Sequence, residues 1–413
     1  MLINFLNSWE ERMNVAMDFT EQLPKEWDDW ITTNIMRGIS KEVIIQTLKD
    51  NNFSDTQIQI ALKKGLNRDT NESIQNIRKL PNNLKEWVGL NLLQGVSKDN
   101  IAQVLLQQGY THAEVLLELE TASKSPYLKA GLKPTKILNK REWLLQTCDD
   151  LARLDPGYNQ KIDVIDTPAF ETFIRDYYSK HKPVVLKNGI NHWPALKKWS
   201  PQYFADTLGE VEVQIQFNRE SDILFERNSN KHRKSMRMAE FVDMIENHGD
   251  SNDYYMTANN TQQNVDAIKP AFEDIGDFGD GYRKLTDDPS FSTYFWMGPK
   301  GVFTPLHHDL TNNMLVQVYG TKKVTLIPAW QVPWLYNDLH VYSEVDFPNF
   351  DLKKHPLMQH VTPVEVNIEA GDALFIPIGW WHCVNGLEKS ISISFTNFNA
   401  PNNYSASFME AQG

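Results

Sequence analysis

Residues 304–322 read Thr-Pro-Leu-His-His-Asp-Leu-Thr-Asn-Asn-Met-Leu-Val-Gln-Val-Tyr-Gly-Thr-Lys. In a β-strand, residues i and i+2 point to the same face, so His307 and Asp309 leave one strand side by side, with His308 facing the other way. A third ligand is offered far downstream, in Gly379-Trp380-Trp381-His382. The spacing predicts a strand over 314–319, a turn at Gly320-Thr321 and an antiparallel return over 322–327. By phase Lys322 shares a face with Val324 and Leu326, and Asn313 shares one with Leu315, Gln317 and Tyr319. A lysine on the apolar face of a sheet is costly unless a carboxylate pairs with it. An acidic cosubstrate would supply that carboxylate.

Two imidazoles and one carboxylate on one face of an ion suit non-haem Fe(II), with positions left open for other ligands. The same set suits zinc, and Lys322 weighs against that rival. Outward from this stretch, 369–372 reads as a turn and 373–378 as a strand, and serine alternates with isoleucine over 391–394. Upstream, 182–186, 211–217 and 253–256 read as strands, 170–178 as a helix and 276–281 as a Gly/Asp turn. Many short strands separated by Gly and Pro turns suggest a double-sheet jelly roll. Trp296, Trp380 and Trp381 either wall its pocket or pack its core, the latter for at least two of them. The basic cluster Arg227, Lys231, Arg233, Lys234 and Arg237 is either a solvated loop or a rim facing substrate.

The first third carries an internal repeat. Residues 23–62 match 80–119: Leu23-Pro24 with Leu80-Pro81, Trp30 with Trp87, Asn34 with Asn91, Gly38 with Gly95, Ser40-Lys41 with Ser97-Lys98. Each copy predicts three helices. The first is stopped by Gly38 or Gly95 and the second is capped by Ser40 or Ser97. The third opens on a capping box, Ser54-x-x-Gln57 or Thr111-x-x-Glu114. Such units serve as a brace or as modules for a partner protein. Residues 1–20 read as a leading amphipathic helix that is core or a homodimer contact. Residues 123–141, with Pro126, Gly131, Pro134 and a run of lysines, read as a surface linker. The domains are therefore 1–122, a linker at 123–141, and 142–413.

Composition narrows the class. A net charge of −12 and a pI near 5.4 argue against general nucleic-acid binding, which needs a basic footprint. Two cysteines without a CxxC pattern, Cys148 and Cys383, fit a reducing compartment rather than a disulfide framework. No basic n-region or long apolar run is read, so the expectation is a cytoplasmic protein without a membrane partner.

With these residues assembled, Lys182-Pro-Val-Val-Leu186, Trp193-Pro-Ala195, 304–322 and Gly371-Asp372 through His382 resemble the JmjC/cupin-like Fe(II)- and 2-oxoglutarate-dependent oxygenases. The pattern is most similar to the branch that includes the asparaginyl hydroxylase of hypoxia-inducible factor. The resemblance covers about 141–400. It implies a double-stranded β-helix (jelly-roll cupin) catalytic domain; the helical repeat is not part of the shared pattern, and with it the fold class is α+β, the catalytic domain preceded by an all-α repeat region. The resemblance implies Fe(II) on His307, Asp309 and His382, and 2-oxoglutarate held by Lys322 with Thr304, Asn313 and Tyr255 beside it. The family asparagine falls on Thr396 or Asn397, with Asn397 preferred. The implied function is a dioxygenase hydroxylating a side chain of a protein or peptide. The alternatives are hydroxylation of a modified tRNA base, lysine demethylation, and a non-catalytic cupin adaptor acting through its helical repeats.

Overall fold

The structure, a computed structural model, describes residues 23–36, 39–67, 78–157, 161–257, 262–284, 293–337 and 340–404. The leading helix expected over 1–20 and the stop expected at Gly38 lie outside them. The chain divides into two compact units, Met1–Arg141 and Glu142–Gly413.

In the first unit, helices Lys25–Met36, Lys41–Asp50 and Asp55–Asn67 are followed by Asn82–Leu93, Lys98–Gln107 and His112–Lys124. Each boundary of the second set lies 57 residues after its counterpart. The buried residues repeat at the same offset: Ile31, Ile44, Leu48, Ile58 and Leu62 against Val88, Ile101, Leu105, Val115 and Leu119. Both capping boxes close: Ser54 N–H donates to Gln57 Oε1 at 3.1 Å and Thr111 N–H to Glu114 Oε2 at 2.7 Å. The return bonds run from the Gln57 and Glu114 backbone N–H to the two hydroxyls. Each triplet buries its own apolar cluster, so the repeat is a repeat of packing as well as of sequence.

The stretch expected as a linker is helical instead. One helix runs Pro126–Ala152 with Pro134 inside it. Proline is tolerated at a helix start. At Pro134 one backbone N–H is missing from the helix, and beside it the Thr135 hydroxyl donates to the Gly131 carbonyl at 2.9 Å. At its far end, within the second unit, fully buried Asp149 accepts from Trp330 Nε1 at 3.0 Å and Gln331 Nε2 at 2.7 Å.

The second unit has thirteen strands among the described residues: β1 Asp163–Asp166, β2 Val184–Lys187, β3 Glu212–Phe217, β4 Arg233–Arg237, β5 Tyr254–Tyr255, β6 Thr293–Gly298, β7 Phe303–His308, β8 Asn313–Tyr319, β9 Lys322–Ile327, β10 Val364–Ile368, β11 Ala373–Ile376, β12 Trp381–Gly386 and β13 Ser390–Phe395. They form sheets of order β1-β2-β11-β8-β13-β6, β10-β9-β12-β7 and β4-β3-β5. The first two lie face to face. Leu315, Leu374 and Ile376 from one meet Val324, Leu326 and Val364 from the other in one apolar cluster. The outer face of the larger sheet carries Val316, Phe375, Ile391, Ile393 and Phe395 in the main core. The outer face of the smaller one, with Leu306, Ile327 and Trp381, is covered by Leu335, Val345, Phe347 and Met358.

One expectation fails here in an informative way. β8 and β9 are not a hairpin: β8 pairs with β11 and β13, and β9 pairs with β10 and β12. Gly320-Thr321 is therefore a corner that carries the chain from one sheet to the other. Gly320 has φ +70°, and a Cβ there would lie 2.0 Å from the Lys389 carbonyl oxygen. Gly320→Ala is expected to destabilise the unit by at least about 2 kcal/mol through left-handed strain and that clash, seen as a lower urea midpoint.

Candidate metal and cosubstrate site

The two histidines meet across a strand pair. β7 and β12 run antiparallel with His307 opposite His382, and Val384 lies opposite Thr304. Two steps along β12 thus match three along β7, a β-bulge. The extra residue brings Thr304 and His307 to one face, although a regular strand would put residues three apart on opposite faces. β7 ends at His308, so Asp309 sits just past the strand rather than in it. The Gly379 N–H bonds its carbonyl at 3.2 Å.

His307 Nε2 lies 4.0 Å from Asp309 Oδ1, and His382 Nε2 lies 3.9 Å from Asp309 Oδ2. One ligand atom from each of the three lies within 4.8 Å of the others. Each imidazole spends Nδ1 on a backbone carbonyl two residues back: His307 on Pro305 at 2.8 Å, His382 on Trp380 at 3.0 Å. A carbonyl accepts, so Nδ1 carries the proton and each Nε2 keeps its lone pair for a cation. Burial, with neighbouring His307, pushes the His382 pKa down and keeps it neutral, against the pull of Asp309. Burial alone would raise the Asp309 pKa; the neighbouring His382 and His307 side chains and the Asn313 N–H outweigh it and hold it low. Two imidazoles with Nε2 turned to the carboxylate and one carboxylate fit a divalent cation of the Fe(II) type. His308 turns away, its ring centroid 4.8 Å from that of Trp381.

Asn313 donates through Nδ2 to Asp309 Oδ2 at 2.9 Å, while its buried Oδ1 has no partner. Lys322 is 2 % exposed. Its Nζ donates to the Tyr255 hydroxyl at 3.1 Å, and among the described residues no carboxylate pairs with it. Burial pushes its pKa down to about 7. An ammonium this deep without a counter-ion fits a missing carboxylate, which is what a dicarboxylate cosubstrate brings. Thr304 faces the same interior from β7.

Asn397 is not brought there. Its Oδ1 accepts from Arg283 Nε at 3.1 Å and its Nδ2 donates to the Lys284 carbonyl at 3.0 Å. The phase of β13 explains this: Ile391, Ile393 and Phe395 pack in the outer core, and Asn397 continues that odd-numbered series. Ser392 and Ser394 face inward, where they meet Gln317 Oε1 and Trp296 Nε1. Trp380 and Trp381 are core, and Trp296 lies 5.9 Å from the Tyr255 ring.

Sequence reasoning missed Asn312 and Asn402. Asn402 Oδ1 accepts from the Asn312 backbone at 2.8 Å, and its Nδ2 donates to the Asn312 and Thr396 carbonyls at 2.9 and 2.7 Å. Asn312 Oδ1 accepts from the Ile378 N–H at 2.9 Å. The pair ties the Asp309 loop to the turn before His382. Only the three-dimensional contact reveals it, since the residues are 90 apart in sequence.

Comparison with known proteins gives the class. Residues 170–404 match the cupin-like domain. The chain is 30 % identical over 241 residues to lysine-specific demethylase JMJ30 of Arabidopsis thaliana, covering 55 % of this chain and 52 % of that one. It is 30 % identical over 241 residues to lysine-specific demethylase 8 of Xenopus tropicalis, covering 57 % and 52 %. It is 28 % identical over 244 residues to tRNA wybutosine-synthesizing protein 5 of Gallus gallus, covering 57 % and 76 %. The chain spans about half the length of the two demethylases. It belongs to the cupin-like JmjC family of Fe(II)- and 2-oxoglutarate-dependent oxygenases.

Proposed function

We propose that this chain is an Fe(II)- and 2-oxoglutarate-dependent dioxygenase that hydroxylates a side chain of a protein substrate. The observation that carries the reading is a pair of poles in one interior. Two imidazoles and one carboxylate, His307, His382 and Asp309, stand at one, and a buried ammonium without a carboxylate among the described residues at the other. His307, Asp309 and His382 would hold the metal; Lys322 and the Tyr255 hydroxyl would bind the cosubstrate's far carboxylate, with Thr304 beside it. Iron and 2-oxoglutarate, when bound, supply the oxygen activation and the abstraction of a substrate hydrogen. Asn313 fixes the Asp309 carboxylate, the Nδ1 bonds aim both imidazoles, and the apolar cluster between the sheets keeps water away.

A cleft of about 520 Å3 supports a polypeptide as substrate. Its wall includes Pro305, which bonds His307, and Tyr342, whose ring centroid lies 6.1 Å from that of His307. Glu220, Asp222, Glu226, Glu344 and Asp346 outnumber Arg219, Arg227 and Lys354 there. Ile223, 80 % exposed, and Leu224 sit on the lip. Acid excess beside exposed apolar side chains suits a basic peptide segment and disfavours a tRNA polyanion. The basic cluster adds little to a nucleic-acid reading. Arg227 donates to the Ser343 carbonyl, Lys234 stacks 4.1 Å from the Phe217 ring, and Arg237 pairs with Glu240. Demethylation shares the same chemistry on an N-methyl group. A cytoplasmic location is part of this reading, and no helix of the described residues is long and apolar enough to cross a membrane.

The test is succinate formation from 2-oxoglutarate that requires Fe(II) and is not restored by zinc. Mass spectrometry of a candidate protein substrate should show one added oxygen; formaldehyde release would mark demethylation instead. No 2-oxoglutarate turnover with Fe(II) loaded would sink the proposal. The double reversal Glu344→Lys/Asp346→Lys is expected to raise KM for a basic substrate at least about tenfold, since like charges across an interface cost several kcal/mol. Product mass spectrometry against substrate concentration checks it.

A further inference from the structure

Arg219 is fully buried and unusually poorly satisfied. Its Nη2 donates to Glu226 Oε1 at 3.1 Å and to the Phe303 carbonyl at 2.8 Å, while Nε and Nη1 have no partner. A buried guanidinium is ordinarily held by a bidentate carboxylate. Here Glu226 spends its other oxygen on Gln216 Nε2 at 3.2 Å. Rings take the place of the missing bonds. The guanidinium carbon lies 4.3 Å from the Phe225 centroid and 5.2 Å from that of Tyr255. Tyr255 is closed in elsewhere too. A Cβ on Gly298 would come within 2.5 Å of its ring, so glycine is what lets the ring sit there. The Arg219 N–H also bonds the Asp253 carbonyl at 3.2 Å, two residues before Tyr255. At the far end of that ring the hydroxyl meets Lys322 Nζ at 3.1 Å.

We propose that Arg219 is a positioning residue for the cosubstrate carboxylate, acting through Tyr255 on the hydroxyl and ammonium that would receive it. The inference rests on the oxygenase reading above. Two buried cations approach Tyr255: the Arg219 guanidinium over its ring, with Glu226 beside it, and Lys322 Nζ at its hydroxyl. An incoming carboxylate would pair with Lys322, which has no carboxylate partner among the described residues. The guanidinium over the ring face holds the phenol at its angle by cation–π attraction and makes it a better donor to an anion. Truncating Arg219 frees the ring to tilt and removes one of the two positive charges. An unpaired buried donor is expensive to keep for stability alone.

The experiment is calorimetric titration of 2-oxoglutarate into the full chain loaded with Mn(II) as a redox-silent substitute, for wild type, Arg219→Met, Arg219→Lys, Tyr255→Phe and Arg219→Met/Tyr255→Phe. Steady-state kinetics with Fe(II) run in parallel. Arg219→Met is expected to weaken 2-oxoglutarate about tenfold or more, with KM for it rising by a larger factor than kcat falls. Arg219→Lys, which keeps the charge but not the flat face, is expected to recover part of the loss. The double variant should be little weaker than the worse single one, because both act through one phenol. Wild-type affinity in Arg219→Met, or losses that multiply in the double variant, would overturn the inference. If Arg219→Met fails to fold, Arg219→Lys decides it: wild-type affinity and KM there overturn it. A wild-type chain that binds no 2-oxoglutarate brings down the oxygenase reading itself, a different outcome from affinity that ignores Arg219.

Discussion

Asp309→Ala is expected to abolish Fe(II) binding at micromolar metal and to remove turnover, while leaving the unit folded. Asp309 supplies the one formal negative charge of the set, and its two oxygens face the two Nε2 atoms at 4.0 and 3.9 Å. Without it two imidazoles and no carboxylate remain, a pair that holds a divalent cation far less tightly. Loss of an outer partner of a metal ligand typically costs 10–100-fold in affinity or activity. Asn313→Ala, which strips the 2.9 Å bond from the Asp309 carboxylate, should fall in that range of roughly 10–100-fold. Removing Asp309 itself should exceed it. The fold should survive because Asp309 lies past the end of β7 and belongs to none of the apolar clusters. Metal content by elemental analysis and succinate release with Fe(II) check both variants. Retained turnover in Asp309→Ala would remove the assignment of this site.

Lys322→Met is expected to lose 2-oxoglutarate binding by about 100-fold and to gain stability at once. The ammonium is 2 % exposed and its pKa is pushed down to about 7 by burial. Hydrogen bonds to charged groups contribute about 1.5–3 kcal/mol, one to two decades in affinity. Replacing a buried charge by an apolar side chain of similar volume is often neutral or stabilising by about 1–4 kcal/mol. The sign of the pH effect follows from the lowered pKa. Below about pH 7 the lysine is charged in both folded and unfolded chains, and the full desolvation penalty is present. Between about 7 and the ordinary value of 10.5 the unfolded chain holds a proton that the folded one has lost. The penalty therefore fades and stability rises with pH across that window. The difference in unfolding free energy between Lys322→Met and wild type should be largest near pH 7 and shrink towards pH 9. Cosubstrate affinity should run the other way, flat below pH 7 and falling above it as the ammonium loses its proton. Denaturant titration and calorimetry at pH 7 and 9 read both trends. A constant stability gap would mean that the lysine is not desolvated.

The sequence alone was enough to single out His307, Asp309 and His382, which the fold brings into one cluster that could hold a metal, and the buried Lys322. Residue type and strand phase carry that information locally: an imidazole and a carboxylate two apart, a lysine in register with Val324 and Leu326, a histidine after an apolar strand. The helical repeat was legible for the same reason. Its caps and apolar positions are short-range signals, and the second copy states them twice. Helix over 126–141 was not expected because Pro126, Gly131 and Pro134 are breakers on average, yet one helix runs through all three. What the sequence could not carry was pairing. β8 and β9 are adjacent in the chain but lie in different sheets, because Gly320 turns a corner that only the packing of the two sheets defines. Strand parity would separate Thr304 from His307, and the bulge opposite His382 brings them together. Asn397 lost its expected role to a phase that depends on which face of β13 meets the outer core. Arg219 and Glu226 have no motif at all. They matter because the fold buries a guanidinium against Tyr255, and desolvation and stacking are properties of a neighbourhood that no single stretch of chain contains.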